Sequence, residues 1–259
     1  MAQANPEILA FEQRDGIGYV RLTRPAKRNA LSDRLVQELQ ACFEQLPEAV
    51  KAVVLDGEGQ HFCAGLDLSE LRERSTAEGL FHSMMWHSAF HAIQFGRAPV
   101  IAVMHGAVIG GGLELACAAH IRVAERSAFY ALPEGQRGLF VGGGGSVRLP
   151  RIIGFSRMTD MMLTGRTYTA EEGQQIGLSH YLVDEGQGLA KAEELAARVA
   201  ANAALTNFAV MHALPRIAGQ PMTEGFLTEA LMAAIFSGAP ETKQRLKDFL
   251  EKRAGKVGE

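Results

Sequence analysis

The spacing of apolar positions changes along this chain, and the changes mark its elements. Ile8 to Phe11 and Ile17 to Leu22 are apolar runs on either side of Arg14-Asp15-Gly16. Asp-Gly tolerates the positive φ angles of a tight turn, so the pattern predicts a β-hairpin. Arg24-Pro25 breaks the second strand. Ser32 is placed to cap a helix whose apolar face, Leu35, Val36, Leu39, Phe43 and Leu46, recurs at three- and four-residue spacing. Ala52 to Leu55 reads as a short buried strand ending at Asp56-Gly57. A helix is predicted over 80–95, a strand over 99–103, a short helix after Gly110-Gly111-Gly112, and a strand over 121–124. Strands alternating with helices predict an α/β fold with a largely parallel sheet.

Beyond about residue 155 the pattern is helical. Thr169 and Glu172 form a T-x-x-E capping box. Helices are predicted over 188–203, 207–217, 222–236 and 241–253, punctuated by Pro215, Pro221 and Pro240. The last two carry Phe226, Leu227, Leu231, Ile235, Phe236, Leu246, Phe249 and Leu250. That is more apolar surface than a lone tail helix needs, so they are expected to pack on a partner subunit. The organisation expected is a core over 1–200 and a helical region over 201–259 that serves oligomerisation and forms part of the ligand pocket.

Composition narrows the classes. With 47% apolar and 21% charged residues, a chain of 259 residues can bury a large core as one body. A formal charge of −3 gives no electrostatic case for nucleic acid or an anionic membrane. Cys42, Cys63 and Cys117 are an odd number without a CxxC pair, which reads as free thiols in a reducing compartment. Met1 to Glu7 shows no basic region followed by an apolar run, so no secretory leader is expected. No apolar stretch approaches the roughly 20 residues that span a bilayer.

Three segments carry candidate chemistry. In Pro99-Val-Ile-Ala-Val-Met-His-Gly-Ala-Val-Ile-Gly-Gly-Gly-Leu-Glu114, a strand runs through a turn into glycines that open a helix. Backbone N–H groups there have no intrahelical partners and can hold a developing oxyanion. Glu114 sits one turn in, beside the same spot. The cluster is not GxGxxG, and Gly142-Gly143-Gly144-Gly145-Ser146 lacks the lysine of a phosphate-binding loop. His61-Phe-Cys-Ala-Gly-Leu-Asp-Leu68 again places small residues after a strand. In Phe129-Tyr-Ala-Leu-Pro-Glu134, an acid follows proline in an apolar stretch, where burial would shift its pKa. Singly, Glu114 and Glu134 read equally well as solvated surface acids.

Taken together and in this order, the blocks resemble the enoyl-CoA hydratase/isomerase superfamily, the crotonases. Arg24-Pro-Ala-Lys-Arg-Asn-Ala-Leu31 resembles the family's early block, Phe62 to Leu68 its A-G-x-D block, and Gly106 to Leu115 its G-x-x-x-G-G-G-x-E-L block. Pro133-Glu134 through Gly142-x-Gly-Gly-Ser-x-Arg-Leu-Pro150 resembles the second catalytic block, and Phe249-Leu-Glu-Lys-Arg253 the ending. The likeness covers nearly the whole chain and is closest to enoyl-CoA hydratase.

The resemblance implies a spiral of βαβ units with a C-terminal helical trimerisation region, assembled as a homotrimer or a dimer of trimers in the cytoplasm. It implies hydration of a 2-enoyl-CoA thioester to 3-hydroxyacyl-CoA, with no metal and no cofactor beyond the coenzyme A of the substrate. Glu114 and Glu134 occupy the two acid/base positions. Ala64 and Gly111 would supply the oxyanion N–H groups, and Gly142 would help place the water. Lys27, Arg28, Ala30 and the stretch Ala64, Gly65, Leu66, Asp67 and Leu68 would lie along the coenzyme A arm. Retention of both acids favours a hydratase over an isomerase. It leaves open a hydratase coupled to retro-aldol cleavage of an aryl enoyl-CoA, and a non-catalytic acyl-CoA-binding member.

Three positions depart from the family pattern. His105 stands where asparagine is common, His120 where aspartate is frequent, and Val141 where proline often precedes Gly142. His87 and His91 have the i, i+4 spacing of metal ligands, but no acidic partner accompanies them. Their segment, with Phe81, Met84, Met85 and Trp86, reads either as core or as lining of an acyl pocket.

Overall fold

The computed structural model describes residues 7–70 and 72–251, so Lys252 and Arg253 of the expected ending, and residues 1–6, lie outside it. The chain divides into two compact units, 1–200 and 201–259.

The first unit opens with the expected hairpin. Strands β1 (Leu9–Arg14) and β2 (Ile17–Leu22) pair antiparallel, with Arg14 opposite Ile17. Asp15 and Gly16 make the turn at φ 52° and 76°, the positive angles that a two-residue hairpin turn requires. Ser32 caps α1 (Asp33–Glu44) by accepting from the Leu35 N–H. Strand β3 (Ala52–Gly57) follows, then α2 (Thr76–Gln94), β4 (Val100–Met104), β5 (Ala107–Ile109), α3 (Gly111–Ala118), β6 (Ile121–Glu125) and β7 (Phe129–Ala131). The unit ends with α4 (Gly145–Ile153), α5 (Phe155–Thr164), β8 (Tyr168–Thr169), α6 (Ala170–Gln175), β9 (Tyr181–Val183) and α7 (Gly188–Ala200).

The main sheet has the order β1-β2-β3-β4-β6-β9 and is parallel from β2 onward. Its central strands β3 and β4 are buried on both faces. Val53 and Leu55 pack with α1 residues Leu35, Val36, Leu39 and Phe43 in the larger core. Their neighbours Ala52 and Val54 point the other way, onto Ala192, Leu195 and Ala196 of α7. A second sheet, β5-β7-β8, stands apart from the first.

Some expected boundaries move. Helix α2 begins at Thr76, not at residue 80, because Ser75 and Glu78 form a capping box. The capping box at Thr169 and Glu172 is present. The region beyond 155 is not wholly helical. Strands β8 and β9 are too short to show a period of their own, and they exist by pairing with β7 and β6.

Residues 62–67 form a ribbon that joins these parts. On one side Phe62 N–H donates to the His105 carbonyl (2.8 Å), Cys63 N–H to Ala107 (3.0 Å), and Ile109 N–H to Cys63 (3.1 Å). On the other, Leu31 N–H donates to Gly65 (2.7 Å) and Asp67 N–H to Leu31 (2.9 Å). Asn29, fully buried, fastens the approach: its Nδ2 donates to the carbonyls of Glu58 (2.9 Å) and His61 (2.7 Å), and its Oδ1 accepts from Arg24 N–H (2.9 Å). Arg24 in turn pairs with Asp67 at 2.7 Å.

In the second unit, the stretch expected as one helix over 207–217 is two, α8 (Ala204–His212) and α9 (Leu214–Ala218), with Pro215 in the first turn of α9. Helices α10 (Met222–Gly238) and α11 (Pro240–Leu250) follow, and Phe226, Leu227, Leu231, Ile235, Leu246, Phe249 and Leu250 are exposed on them. Among the described residues, no helix is long and apolar enough to cross a membrane.

Asn29 has φ 55°, a left-handed conformation that asparagine tolerates better than alanine. Asn29→Ala removes the donor to the Glu58 and His61 carbonyls and adds backbone strain, so it is expected to lower stability by about 2 kcal/mol. The urea midpoint checks this; an unchanged midpoint would refute the bracket.

Candidate active site

The parallel pairing of β5 with β7 sets Ile109 against Ala131, and both strands end there. Gly110, at the turn after β5, donates its N–H to the Ala131 carbonyl (2.9 Å) and takes φ 53°. Leu132-Pro133 carries the other chain to Glu134. A side chain on Gly110 would place its Cβ 2.5 Å from Glu134 Oε1. Glycine is needed twice over at this position, for the angle and for the carboxyl packed against it.

Glu114 lies one turn into α3 and is 3% exposed. Its Oε1 accepts two backbone N–H groups, Gly143 at 2.9 Å and Gly145 at 2.6 Å. Gly145 is the first residue of α4, so the carboxylate sits at a helix N-terminus. A Cβ on Gly143 would come within 3.1 Å of Glu114 Oε2, and one on Gly145 within 2.8 Å of Oε1. Burial pushes the Glu114 carboxyl up and the Glu134 charge adds to it. The Gly145 and Gly143 N–H groups and Arg148 pull it down, and it settles at about 7. Burial also raises Glu134, against the pull of Arg137. Glu134 Oε2 is buried and has no hydrogen-bond partner among the described residues.

The structure thus places two carboxyls with raised pKa values beside the glycines that open α3. Residues 12–258 match the family model described as enoyl-CoA hydratase/isomerase. The chain belongs to this family. It is 32% identical over 257 residues to the enoyl-CoA hydratase EchA19 of Mycobacterium tuberculosis, covering 97% of this chain and 96% of that one. It is 31% identical over 196 residues to the short-chain-enoyl-CoA hydratase of Clostridium acetobutylicum, covering 74% and 75% of the two chains. A Rhodopseudomonas palustris crystal structure superposes with a TM-score of 0.94 over 98% of each chain, at 56% identity. A Mycobacterium smegmatis enoyl-CoA hydratase superposes at 0.91 over 96% and 98%, with 28% identity. The fold is that of the crotonases, and the protein is an enzyme of the hydratase/isomerase type.

Against this family background, one expected residue changes. Ala64 N–H already donates to the Arg28 carbonyl at 3.0 Å, so it is not free for an oxyanion. Gly65, at φ 88°, resets the side to which successive N–H groups point. Asp67 N–H then faces Leu31, and Leu66 N–H faces away from it, with no protein acceptor among the described residues. A Cβ on Gly65 would lie 3.2 Å from Gly111 N, so the ribbon passes close beside Gly111. Gly111 N–H opens α3 and has no intrahelical partner. Leu66, not Ala64, is the residue that brings a free donor beside Gly111. A φ angle decided this, and the order of residues does not display it.

The other expected residues fall into three groups. Lys27, Arg28 and Leu68 are exposed, whereas Ala30 and Gly65 are buried in the ribbon's supports. The Asp67 carboxylate is held inside the protein. Burial pushes it up, but Ser69 and Arg24 outweigh burial and hold it at about 2, so it locks the ribbon. Gly142 keeps its N–H without a protein acceptor among the described residues, while its carbonyl accepts from Ser83 Oγ at 2.6 Å. Ser83 was invisible in the sequence, since it lies 59 positions from Gly142.

The departures from the family pattern have local explanations. Val141 is buried in the main core. His120 brackets β4 and α2: its Nδ1 accepts from Val100 N–H (3.0 Å) and its Nε2 lies 3.0 Å from the Gln94 carbonyl. His105 lines a cleft with His61, Asp56 and Glu125 that contains neither catalytic candidate. Trp86 is buried against Gly111, while Phe81 and Met84 are exposed. No group of three metal-binding side chains occurs among the described residues.

Glu114 is raised from 4.5 to about 7, so its ionisation opposes folding. Wild type therefore loses stability as pH rises from the usual glutamate range through about 7, and Glu114→Gln escapes that loss. At pH 8 the variant is expected to melt several degrees higher than wild type, with the difference shrinking to about a quarter near pH 5 and vanishing only below about pH 4. Thermal melts at these pH values check it; a variant that melts lower at pH 8 contradicts the assignment.

Proposed function

We propose that this protein hydrates 2-enoyl-CoA thioesters to 3-hydroxyacyl-CoA. The observation that carries the reading is the pairing of the buried Glu114 with the half-buried Glu134, both raised, at a helix start with free N–H groups. Water adding to C3 must lose a proton, the thioester oxygen must accept charge, and C2 must gain a proton. Glu114 Oε1 is anchored by two N–H groups, leaving Oε2 to take the water's proton as its oxygen attacks C3. The π electrons shift toward the thioester oxygen, where Leu66 and Gly111 N–H groups stabilise the enolate-like charge. Glu134 gives its proton to C2. The place of the shared proton sets the direction, on Glu134 for hydration and on Glu114 for dehydration. No step calls on a metal or a redox cofactor.

The coenzyme A arm would lie along Lys27, Arg28 and the backbone of the ribbon, with the two exposed cations facing its phosphates. The names of the relatives support an acyl-CoA substrate. The apolar residues left exposed on α10 and α11 support assembly as a trimer or a dimer of trimers. Light scattering at micromolar concentration is expected to give three or six copies; a stable monomer would refute the assembly.

Loss of the conjugated enoyl-thioester absorbance on adding enzyme tests the reaction. Glu134→Gln is expected to lower kcat by roughly 10²–10⁴ while coenzyme A ligands still bind. No turnover of enoyl-CoA at any chain length would refute the hydratase reading, and near-normal turnover by Glu134→Gln would refute the role of that residue. Migration of the double bond without water uptake would identify an isomerase instead.

A further inference from the structure

The loop that holds Glu114 is a run of four glycines, Gly142 to Gly145. Backbone of that composition does not keep an orientation unaided. Two side chains from outside fix it. Arg148 Nη1 donates to the Gly143 carbonyl at 3.0 Å, and its Nε to Gln94 Oε1 at 2.7 Å. Ser83 Oγ, reaching from α2, donates to the Gly142 carbonyl at 2.6 Å.

The second contact bears directly on Glu114. The Gly142 carbonyl and the Gly143 N–H belong to one planar peptide and point in opposite directions. That N–H is one of the two that hold Glu114 Oε1. The Ser83 hydroxyl therefore grips one end of the peptide whose other end grips the carboxylate. His87 Nε2 lies 3.3 Å from Ser83 Oγ. A carbonyl only accepts, so the Ser83 proton points to Gly142, and the hydroxyl oxygen accepts from a His87 Nε2–H. The chain runs donor to acceptor in one sense, from His87 through Ser83 and the Gly142–Gly143 peptide to Glu114, and each bond polarises the next.

We propose that Ser83 is a positioning residue for Glu114, acting through the Gly142–Gly143 peptide, with His87 orienting its hydroxyl. The inference rests on the reading of Glu114 as an acid/base group. Ser83 touches no reacting atom. Without its hydroxyl, the glycine peptide is free to turn, Gly143 N–H leaves Oε1, and the carboxylate is both misaligned and less well held as an ion. Turnover then falls with little change in KM, and the Glu114 titration moves to higher pH. The titratable and charged groups facing Glu114 are Glu134, Arg148 and the neutral Cys117 thiol, and those sharing a cleft with His87 are Glu44, His91 and Arg97. All of them are common to the variants compared.

Ser83→Val and Ser83→Thr differ only in a methyl for a hydroxyl, and both are β-branched, so helix and packing effects cancel between them. In steady-state assays with an enoyl-CoA, Ser83→Val is expected to have kcat about tenfold below Ser83→Thr, with KM within about twofold. In ¹³C-glutamate NMR of the ligand-free enzyme, with Glu114 assigned by its loss in Glu114→Gln, the Glu114 midpoint is expected about half a pH unit or more higher in the valine variant. Equal kcat and equal midpoints in the two variants would overturn the proposal. If wild type turns over no enoyl-CoA, the hydratase reading fails and the NMR comparison alone decides the positioning role. Should the valine protein not fold, Ser83→Ala is read against Ser83→Thr in the same way.

Discussion

The contact between the Glu114 carboxyl and the glycine loop is the constraint on which the site depends. A carboxyl removed from water is tolerated only if donors meet its charge. Here they are backbone N–H groups, from Gly143 and from the first residue of α4. To reach them the carboxyl must lie against the chain itself. A Cβ at Gly143 or Gly145 would occupy that space, and one at Gly110 would do the same to Glu134. Three glycines scattered over 36 positions thus answer one demand, that the carboxyls of Glu114 and Glu134 lie against backbone. The floppiness they bring is countered from outside the loop, by Arg148 and Ser83.

Much of this is legible in the order of residues. The Asp15-Gly16 turn, the Ser32 cap and the apolar face of α1 follow from local chemistry, and local chemistry produced them. Glu114 and Glu134 stood out by the company they kept, a glycine-opened helix for one and a proline in an apolar run for the other. The small sheet was not legible. Strands β5, β7 and β8 have two or three residues each, too few for a period, and exist because they pair. Yet the β5–β7 register is what sets Gly110 beside Glu134.

The oxyanion donor shows the same limit at the scale of one residue. Ala64 and Leu66 are both small-loop positions in the matching block, and the sequence gives no ground to choose between their N–H groups. The choice is made by where each hydrogen bond goes. Arg28 takes the Ala64 N–H, the Cys63 sulfur that of Gly65 and Leu31 that of Asp67, so Leu66 is left. The Ser83 contact is hidden for another reason: side chain and loop are 59 positions apart, and a serine within a helix carries no signal of its target.

The two acids, alike in type, are set apart by their surroundings. Glu114 has one oxygen fixed by two donors, and its ionised form is part-stabilised despite near-complete burial. Glu134 has a buried oxygen with no partner among the described residues, a position that favours a proton or a ligand over a bare charge. One proton between them is the natural occupancy, because a second charge at such a site opposes the first. That shared proton is what an addition of water and its reversal both require. The fold supplies it by holding two carboxyls where folding alone would favour amides. The stability forgone is offset by the apolar core on both faces of the sheet and by the Asn29 and Asp67 brackets that keep the ribbon in place.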